Sequence, residues 1–431
     1  MNTSRRNARG EVSLQTILAK TVSLVSRYGY DGTTIARITR VTGRPASSIY
    51  WYFDTKDDLV AAALESTYRR RPGEVPSWPE FDAGAPLEAQ LYRALGAEFT
   101  PAETEAPVRL GIMIALEGNA AGSPVQEPFR GRRQRARQQI SAWWNTAAEA
   151  HSVSPREDVA EWMTLLTLAF LDGHYISDVG TDSVPRLHRG GQMVAWALAG
   201  AFGHLVSRGQ PLPPPATRAP AREGEATMHA DSEAGDILLA STRSCVAESG
   251  YEGATLTKIC DRSKMQRSSI YWRYKNKDEL IRAAVAEPFL TLVSASRLGA
   301  VADTDVWPSM LAASVRRSVE GAMDSPDTVK AGLLLKLQRR DPPSLGSQTI
   351  QLGVDREVAA LDAWIASAVE VSRAAVDAAE LGWTVNVLRE GLLLGVAFGQ
   401  SYVTPALSEL TAAMIDGIMA GASGVSPSLN G

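Results

Sequence analysis

Ser47-Ser48-Ile49-Tyr50-Trp51 returns 221 residues later as Ser268-Ser269-Ile270-Tyr271-Trp272. The repeat extends outward without a gap, from Ile17–Leu64 against Leu238–Val285, with 20 identities in 48 positions. It takes in Gly29-Tyr30-x-Gly32 against Gly250-Tyr251-x-Gly253, and Lys56-Asp57-x-Leu59 against Lys277-Asp278-x-Leu280. A repeat of this length is one structural module used twice.

The module reads as helices. Ile17, Leu18, Thr21, Leu24 and Val25 follow a 3.6-residue period that ends at Gly29. Thr33 or Thr34 can cap a short second helix carrying Ile35 and Ile38. A turn is expected near Thr42-Gly43, and Pro45 suits the first position of a third helix. Asp54 is the expected cap of a fourth helix that begins near Lys56. Two short helices joined by a tight turn form a helix-turn-helix. Ile49 and Ile270 are expected in the core, Tyr50 and Tyr271 on the surface.

Looser similarity continues at the same offset. Gly111–Leu116 aligns with Gly332–Leu337, and Ala142-Trp143 with Ala363-Trp364. The expected fold is therefore all-α, two copies of a unit of about 200 residues. The divisions run 1–10, a basic arm with Arg5, Arg6 and Arg9; 11–71, the first helix-turn-helix domain; 72–207, the first helical domain; 208–230, a Pro/Ala-rich linker; 231–286, the second helix-turn-helix domain; and 287–431, the second helical domain. A flexible linker of that length spans roughly 25–30 Å. The apolar stretches Val194–Leu198 and Gly391–Ala397 read as the packing faces of each copy's last helix, joining the two copies.

Charge is uneven. Residues 1–71 hold 12 Lys/Arg against 6 Asp/Glu, and residues 232–286 hold 9 against 7, while the whole chain is at −4. Positive charge collects on the modules, as a polyanion partner requires. No apolar run is long enough for a membrane span, the opening residues lack a secretory signal, and two cysteines fit a reducing cytoplasm. The five histidines form no metal-ligand spacing, and no P-loop, dinucleotide fingerprint or nucleophile elbow is present. No enzyme, metal site or cofactor is expected.

The module resembles the DNA-binding domain of the TetR family of bacterial repressors. The resemblance rests on Gly29-Tyr30-Asp31-Gly32-Thr33-Thr34, Ile38, Gly43, Ser48–Phe53 and Lys56–Leu59, with the corresponding residues of the second copy. It implies a ligand-responsive repressor that reads double-stranded operator DNA with the third helix of each module. The residues it implies at DNA are Thr34, Ala46, Ser47, Ser48, Tyr50, Trp51, Tyr52 and Lys56 in the first copy. In the second they are Thr255, Arg267, Ser268, Ser269, Tyr271, Trp272, Arg273 and Lys277. The chemistry fits, since hydroxyls, a helix start and a lysine suit phosphate, and an arginine can bond guanine bidentately. Ala46 against Arg267, and Tyr52 against Arg273, imply unequal half-sites and an asymmetric operator. Lys264 stands where the first copy has Gly43, so the second turn has either another shape or a strained backbone.

The resemblance also implies an effector pocket and a dimer face in each helical region. The expected pocket residues are Met113, Trp143, Trp162, Met163, Phe170 and His174, with Leu334, Trp364, Trp383 and Leu388 in the second copy. Their character suggests a small, mostly apolar effector. Arg130–Arg137 reads as a solvated helix face. The simplest assembly is an intramolecular pseudo-dimer, with a further homodimer carrying four heads as its rival. The alternative function is a ligand-binding or interaction protein of the same fold with one or both heads unable to bind DNA.

Overall fold

The computed structural model describes residues 2–68, 78–98, 105–117, 124–152, 156–177, 183–208, 212–213, 216–217, 230–294, 298 and 306–424. The first half runs α1 (Asn2–Gly32), α2 (Ile35–Thr42), α3 (Ala46–Tyr50), α4 (Lys56–Thr67), α5 (Leu87–Glu98), α6 (Glu105–Leu116), α7 (Glu127–Ala150), α8 (Arg156–Ile176) and α9 (Ser183–Ser207). The second runs α10 (Ala230–Gly253), α11 (Leu256–Ser263), α12 (Arg267–Arg273), α13 (Lys277–Ile281), α14 (Glu287–Ser294), α15 (Trp307–Asp324), α16 (Pro326–Leu337), α17 (Leu345–Ser372), α18 (Ala378–Ala397) and α19 (Thr404–Ala422). The fold is all-α. The 221-residue offset persists beyond the modules: α6 begins at 105 and α16 at 326, α9 at 183 and α19 at 404.

Equivalent helices pack on each other. α8 lies on α18, α9 on α19, and α1 on α10. Pairing of like with like marks a two-fold relation inside one chain. The first crossing is a backbone contact. A Cβ on Gly173 would stand 1.8 Å from the Val387 carbonyl oxygen, and one on Gly391 1.7 Å from that of Ala169. Only glycine allows two helices so close. The stretch Gly391–Ala397 thus joins the copies, but it belongs to the penultimate helix of its unit, and α19 follows it.

Several local expectations are corrected. The backbone of residues 2–10 continues α1 rather than forming a separate arm, and the Arg5, Arg6 and Arg9 side chains lie outside the described residues. Thr55, not Asp54, caps α4. Its hydroxyl accepts from the Asp58 N–H, and the Asp58 carboxylate accepts from the Thr55 N–H, so two otherwise orphan donors are satisfied together. Pro45 is the residue just before α3, not its first turn. The linker is tied down where it is described. Ala216–Thr217 pairs antiparallel with Gln400–Ser401, Leu212 is buried, and the Trp162 indole N–H donates to the Pro213 carbonyl at 3.0 Å.

The two heads are anchored differently. Ile17, Leu18, Leu24, Ile38, Ile49 and Leu59 make a small core of their own. In the second head, Leu238, Cys245, Ile259, Ile270 and Leu280 belong to one core continuous with the helical body.

Candidate functional site

Each head is built around an anchored isoleucine. Ile49 on α3 and Ile270 on α12 are buried against the head core. One residue on, the helix turns the next side chains outward: Tyr50 is 51% and Trp51 76% exposed, Tyr271 47% and Trp272 86%. Large aromatics at this exposure contribute little to folding and lie open to a partner. Ser47, Ser268, Ser269 and Arg267 are exposed, and Ala46 and Ser48 half-buried. Thr34 and Thr255 are exposed N-caps of α2 and α11, accepting from Arg37 and Lys258 N–H groups at 3.2 and 3.3 Å. Tyr52 points elsewhere. Its hydroxyl donates to the Gly10 carbonyl at 3.0 Å, bracing α1, and its counterpart Arg273 lies exposed beside Gly235 of α10.

The turns between helices share one shape. Gly43 has φ 65° and ψ 16°; Lys264 has φ 58° and ψ 21°. The second head therefore keeps the left-handed turn with a residue that resists it, at a cost of roughly 1–2 kcal/mol.

Lys56 and Lys277 start the last helix of each head, as expected. Lys56 Nζ donates to the Tyr30 carbonyl at 3.0 Å and sits over the Tyr30 ring; Lys277 repeats this on Tyr251 at 2.5 Å. Burial pulls both ammonium groups below their ordinary range, Lys277 to about 8. In each head the tyrosine hydroxyl bonds the aspartate beside the lysine, Asp57 or Asp278. This triad ties the Gly-Tyr-x-Gly bend to the helix that follows.

The bend is where heads meet body. Gly29 has φ 70° and ψ −179°, Gly250 φ 65° and ψ −172°, a conformation open to glycine. The break at Gly29 frees the Tyr30 N–H and the Ser26 carbonyl, and both find partners. Tyr30 N–H donates to Glu117 Oε2 at 2.6 Å, and Ser26 accepts from the Arg339 N–H, in the other unit, at 2.9 Å. Glu117 Oε1 accepts from Gln338 Nε2 at 3.1 Å. Burial pushes the Glu117 carboxyl up to about 8, against the pull of these two bonds. The heads also touch directly, Lys258 Nζ lying 3.4 Å from Asp31.

A cavity of about 400 Å³ opens in the first helical domain, between the end of α4 and helices α6, α7 and α8. Its walls are apolar at Val108, Phe129, Ile140, Leu168 and Leu171. Its polar edge holds Arg132, Arg135 and Gln139 from α7. Arg133 makes a bidentate ion pair with Asp172, each bond 2.5 Å. Tyr68 and Trp78 also line it, and the Tyr68 hydroxyl and Trp78 indole N–H are buried without a hydrogen-bond partner among the described residues. Burial raises the Tyr68 hydroxyl pKa, so it stays a donor.

None of the expected pocket residues lines this cavity. Met113, Trp143, Trp162, Met163, Phe170 and His174 are buried in the core, as are Leu334 and Leu388. Trp143 stacks edge-on with Trp144, His174 packs against Trp383, and Trp364 is half-buried against the same core. A periodic apolar stripe marks core and does not distinguish which part borders a void. The informative signal was the basic run. Arg132, Arg135, Ala136 and Gln139 follow the i, i+3, i+4, i+7 spacing of one helix face, and that face borders the cavity rather than bulk water alone.

The corresponding positions of the second unit are packed. Val354 and Leu393 replace the Arg133–Asp172 pair, and both are buried. Gly353 replaces Arg132, and the Leu290 side chain occupies the space beside it. Arg389 stands in place of Leu168. Burial lowers its pKa, while Glu390 and Glu357, the latter in place of Ala136, hold its charge.

Among the described residues no group of side chains could hold a metal ion, and no helix is long and apolar enough to cross a membrane. Comparison with curated proteins gives no match to the chain. Comparison with protein families gives two matches, at residues 17–63 and 238–284, both to the family described as bacterial regulatory proteins, tetR family.

Proposed function

We propose, from the premise that this chain belongs to the tetR family of bacterial regulatory proteins and carries its DNA-binding domain twice, that it is a ligand-responsive repressor whose two unequal heads read an asymmetric operator. The observation that carries the reading is the pair of exposed Tyr-Trp steps, Tyr50-Trp51 and Tyr271-Trp272, each on a short helix anchored by a buried isoleucine. Two such heads on related positions of one chain suit two successive major-groove faces, about 34–36 Å apart on DNA. Ser47, Ser48, Ser268 and Ser269 suit phosphate oxygens, and Arg267 suits a guanine where Ala46 offers only a methyl. Lys56 and Lys277 each keep further N–H groups beyond the one on the tyrosine carbonyl, and these suit a phosphate near the helix start.

Regulation follows from where the cavity lies. Tyr68, which ends α4 of the first head, is one of its walls. A ligand that favours one position of Tyr68 favours one position of that head, by no more than its differential affinity for the two. The first head has a core partly its own, while Val25, Val60 and Leu64 join it to the body, and it is the head proposed to respond. The second unit senses nothing at the packed site and holds its head in place.

The test is a fluorescence-anisotropy titration with the promoter DNA beside the protein's own gene, at two salt concentrations. Wild type, Tyr50→Ala and Tyr271→Ala are compared. Tight binding with a steep salt dependence, weakened by each variant, supports two working heads. Binding that neither variant nor salt changes sinks the regulator reading in favour of a carrier or interaction protein of this fold.

A further inference from the structure

We infer that the cavity of the first helical domain takes an organic anion with a flat or extended apolar body, such as an aromatic or fatty carboxylate. The inference rests on the regulator reading and names the class of its effector. Three observations converge on it.

First, the lining carries more positive than negative charge. Arg133 is neutralised by Asp172, which leaves Arg132 and Arg135 at the cavity edge. Neither has a carboxylate partner among the described residues. Arg132 instead stands over the Tyr68 ring, 5.1 Å from its centroid, and its guanidinium has no hydrogen-bond partner among the described residues. A planar guanidinium in that state suits a carboxylate or sulfonate, which it can grip through two parallel bonds.

Second, the unpartnered buried polar groups are donors. The Tyr68 O–H and the Trp78 indole N–H belong to side chains that line the cavity, and neither meets a partner among the described residues, the hydroxyl packing against Gly111 of α6. A ligand acceptor would satisfy the Trp78 N–H, which only donates, where that ring turns toward it; an ammonium could not. The remaining wall, Val108, Phe129, Ile140, Leu168 and Leu171, offers only apolar contact, which suits the body of the molecule.

Third, the second unit fills this position of the fold with charged side chains of its own. There the buried Arg389 feels the charges of Glu390 and Glu357, where the first unit has Leu168 and Ala136 on the cavity wall. The first unit thus keeps this wall apolar, and the charge its cavity offers a ligand stays at Arg132 and Arg135.

The experiment is calorimetric titration of the full chain with two matched sets of probes. One set is 2-naphthoate, 2-naphthylmethanol and 2-naphthylmethylammonium; the other is decanoate, decanol and decylammonium. The expected result is one site per chain for at least one of the anions, at least tenfold tighter than its alcohol, with no binding of its ammonium. Arg132→Gln combined with Arg135→Gln should weaken that anion at least tenfold with the melting temperature unchanged. Arg356→Gln, the second unit's counterpart of Arg135, should leave it unaffected. Equal affinity for alcohol and anion, preference for the ammonium, two sites per chain, insensitivity to the arginine pair, or no binding of either set overturns the inference. DNA binding is measured on the same samples. Intact DNA binding with a failed anion arm removes the ligand class alone; a bound anion with no DNA affinity removes the regulator reading alone.

Discussion

Gln338 donates to Glu117 across 3.1 Å, and the two are the same position of the two repeats, 221 residues apart. They meet between Gly29 and Gly250, where a Cβ on either glycine would run into both side chains. Were the repeats identical, this point would hold two carboxylates or two amides. One of each gives a donor facing an acceptor.

Burial raises the Glu117 carboxyl from 4.5 to about 8, so the folded chain binds its proton more tightly than the unfolded chain. The stability this proton confers is complete below pH 4.5 and is lost as pH rises through 8. Urea midpoints should therefore fall between pH 5 and 8.5, and Glu117→Gln should flatten that fall. A wild-type midpoint that is level across this range would refute the assignment. Gln338→Glu should steepen the fall, since a second carboxylate at this point must also be protonated.

Lys264 holds a left-handed turn that glycine adopts in the first head. Lys264→Gly should stabilise the protein by about 1 kcal/mol in urea unfolding, and Gly43→Lys should destabilise it by a similar amount. No gain from Lys264→Gly would show that the turn relaxes around lysine.

The crossing of α8 and α18 depends on the absence of a methyl group. Ala for Gly within an ordinary helix stabilises by about 1 kcal/mol. Gly391→Ala should instead destabilise by about 1–3 kcal/mol, because the helices must separate to admit the Cβ. Weaker DNA binding should accompany it, as the heads are positioned from this crossing. Unfolding and anisotropy measurements on one sample check both.

The Arg133–Asp172 pair joins a half-buried guanidinium to a buried carboxylate, and the second unit has Val354 and Leu393 in their place. Arg133→Val alone should cost about 1–3 kcal/mol by stranding the carboxylate. Arg133→Val with Asp172→Leu should restore most of the loss. A double variant as unstable as the single would show that the pair does more than satisfy itself.

Reading specificity should follow the third helices. Arg267→Ala should lower discrimination at one operator position by about 1–3 kcal/mol and leave the other half-site unchanged. Ala46→Arg should make the two half-sites more alike. Selection of binding sites from random DNA, with each variant, reports both.

Much of this architecture was legible in the sequence because it is local. The repeat, Ile49 and Ile270 as anchors, and Gly29 as the break in α1 are encoded by residues near one another in the chain. The left-handed form of Lys264 was posed correctly as a question but not answerable, since lysine does not announce its backbone. The cavity was not legible. Its walls come from four helices, and its markers, Tyr68 and Trp78, are single residues without pattern. Apolar periodicity instead pointed at Trp162 and Phe170, which fill the core. The Glu117–Gln338 contact was within reach at the 221 offset, but only the kinked helices show that equivalent positions face each other.

Like helices meet within one chain here, and that changes how the protein counts itself. A regulator assembled from separate subunits loses its paired heads on dilution, and its occupancy of DNA rises with the square of concentration when subunits are scarce. With α8 held to α18 along a single backbone, a lone molecule already has both heads. Under the proposed pairing of both heads within one chain, occupancy should rise in direct proportion to copy number.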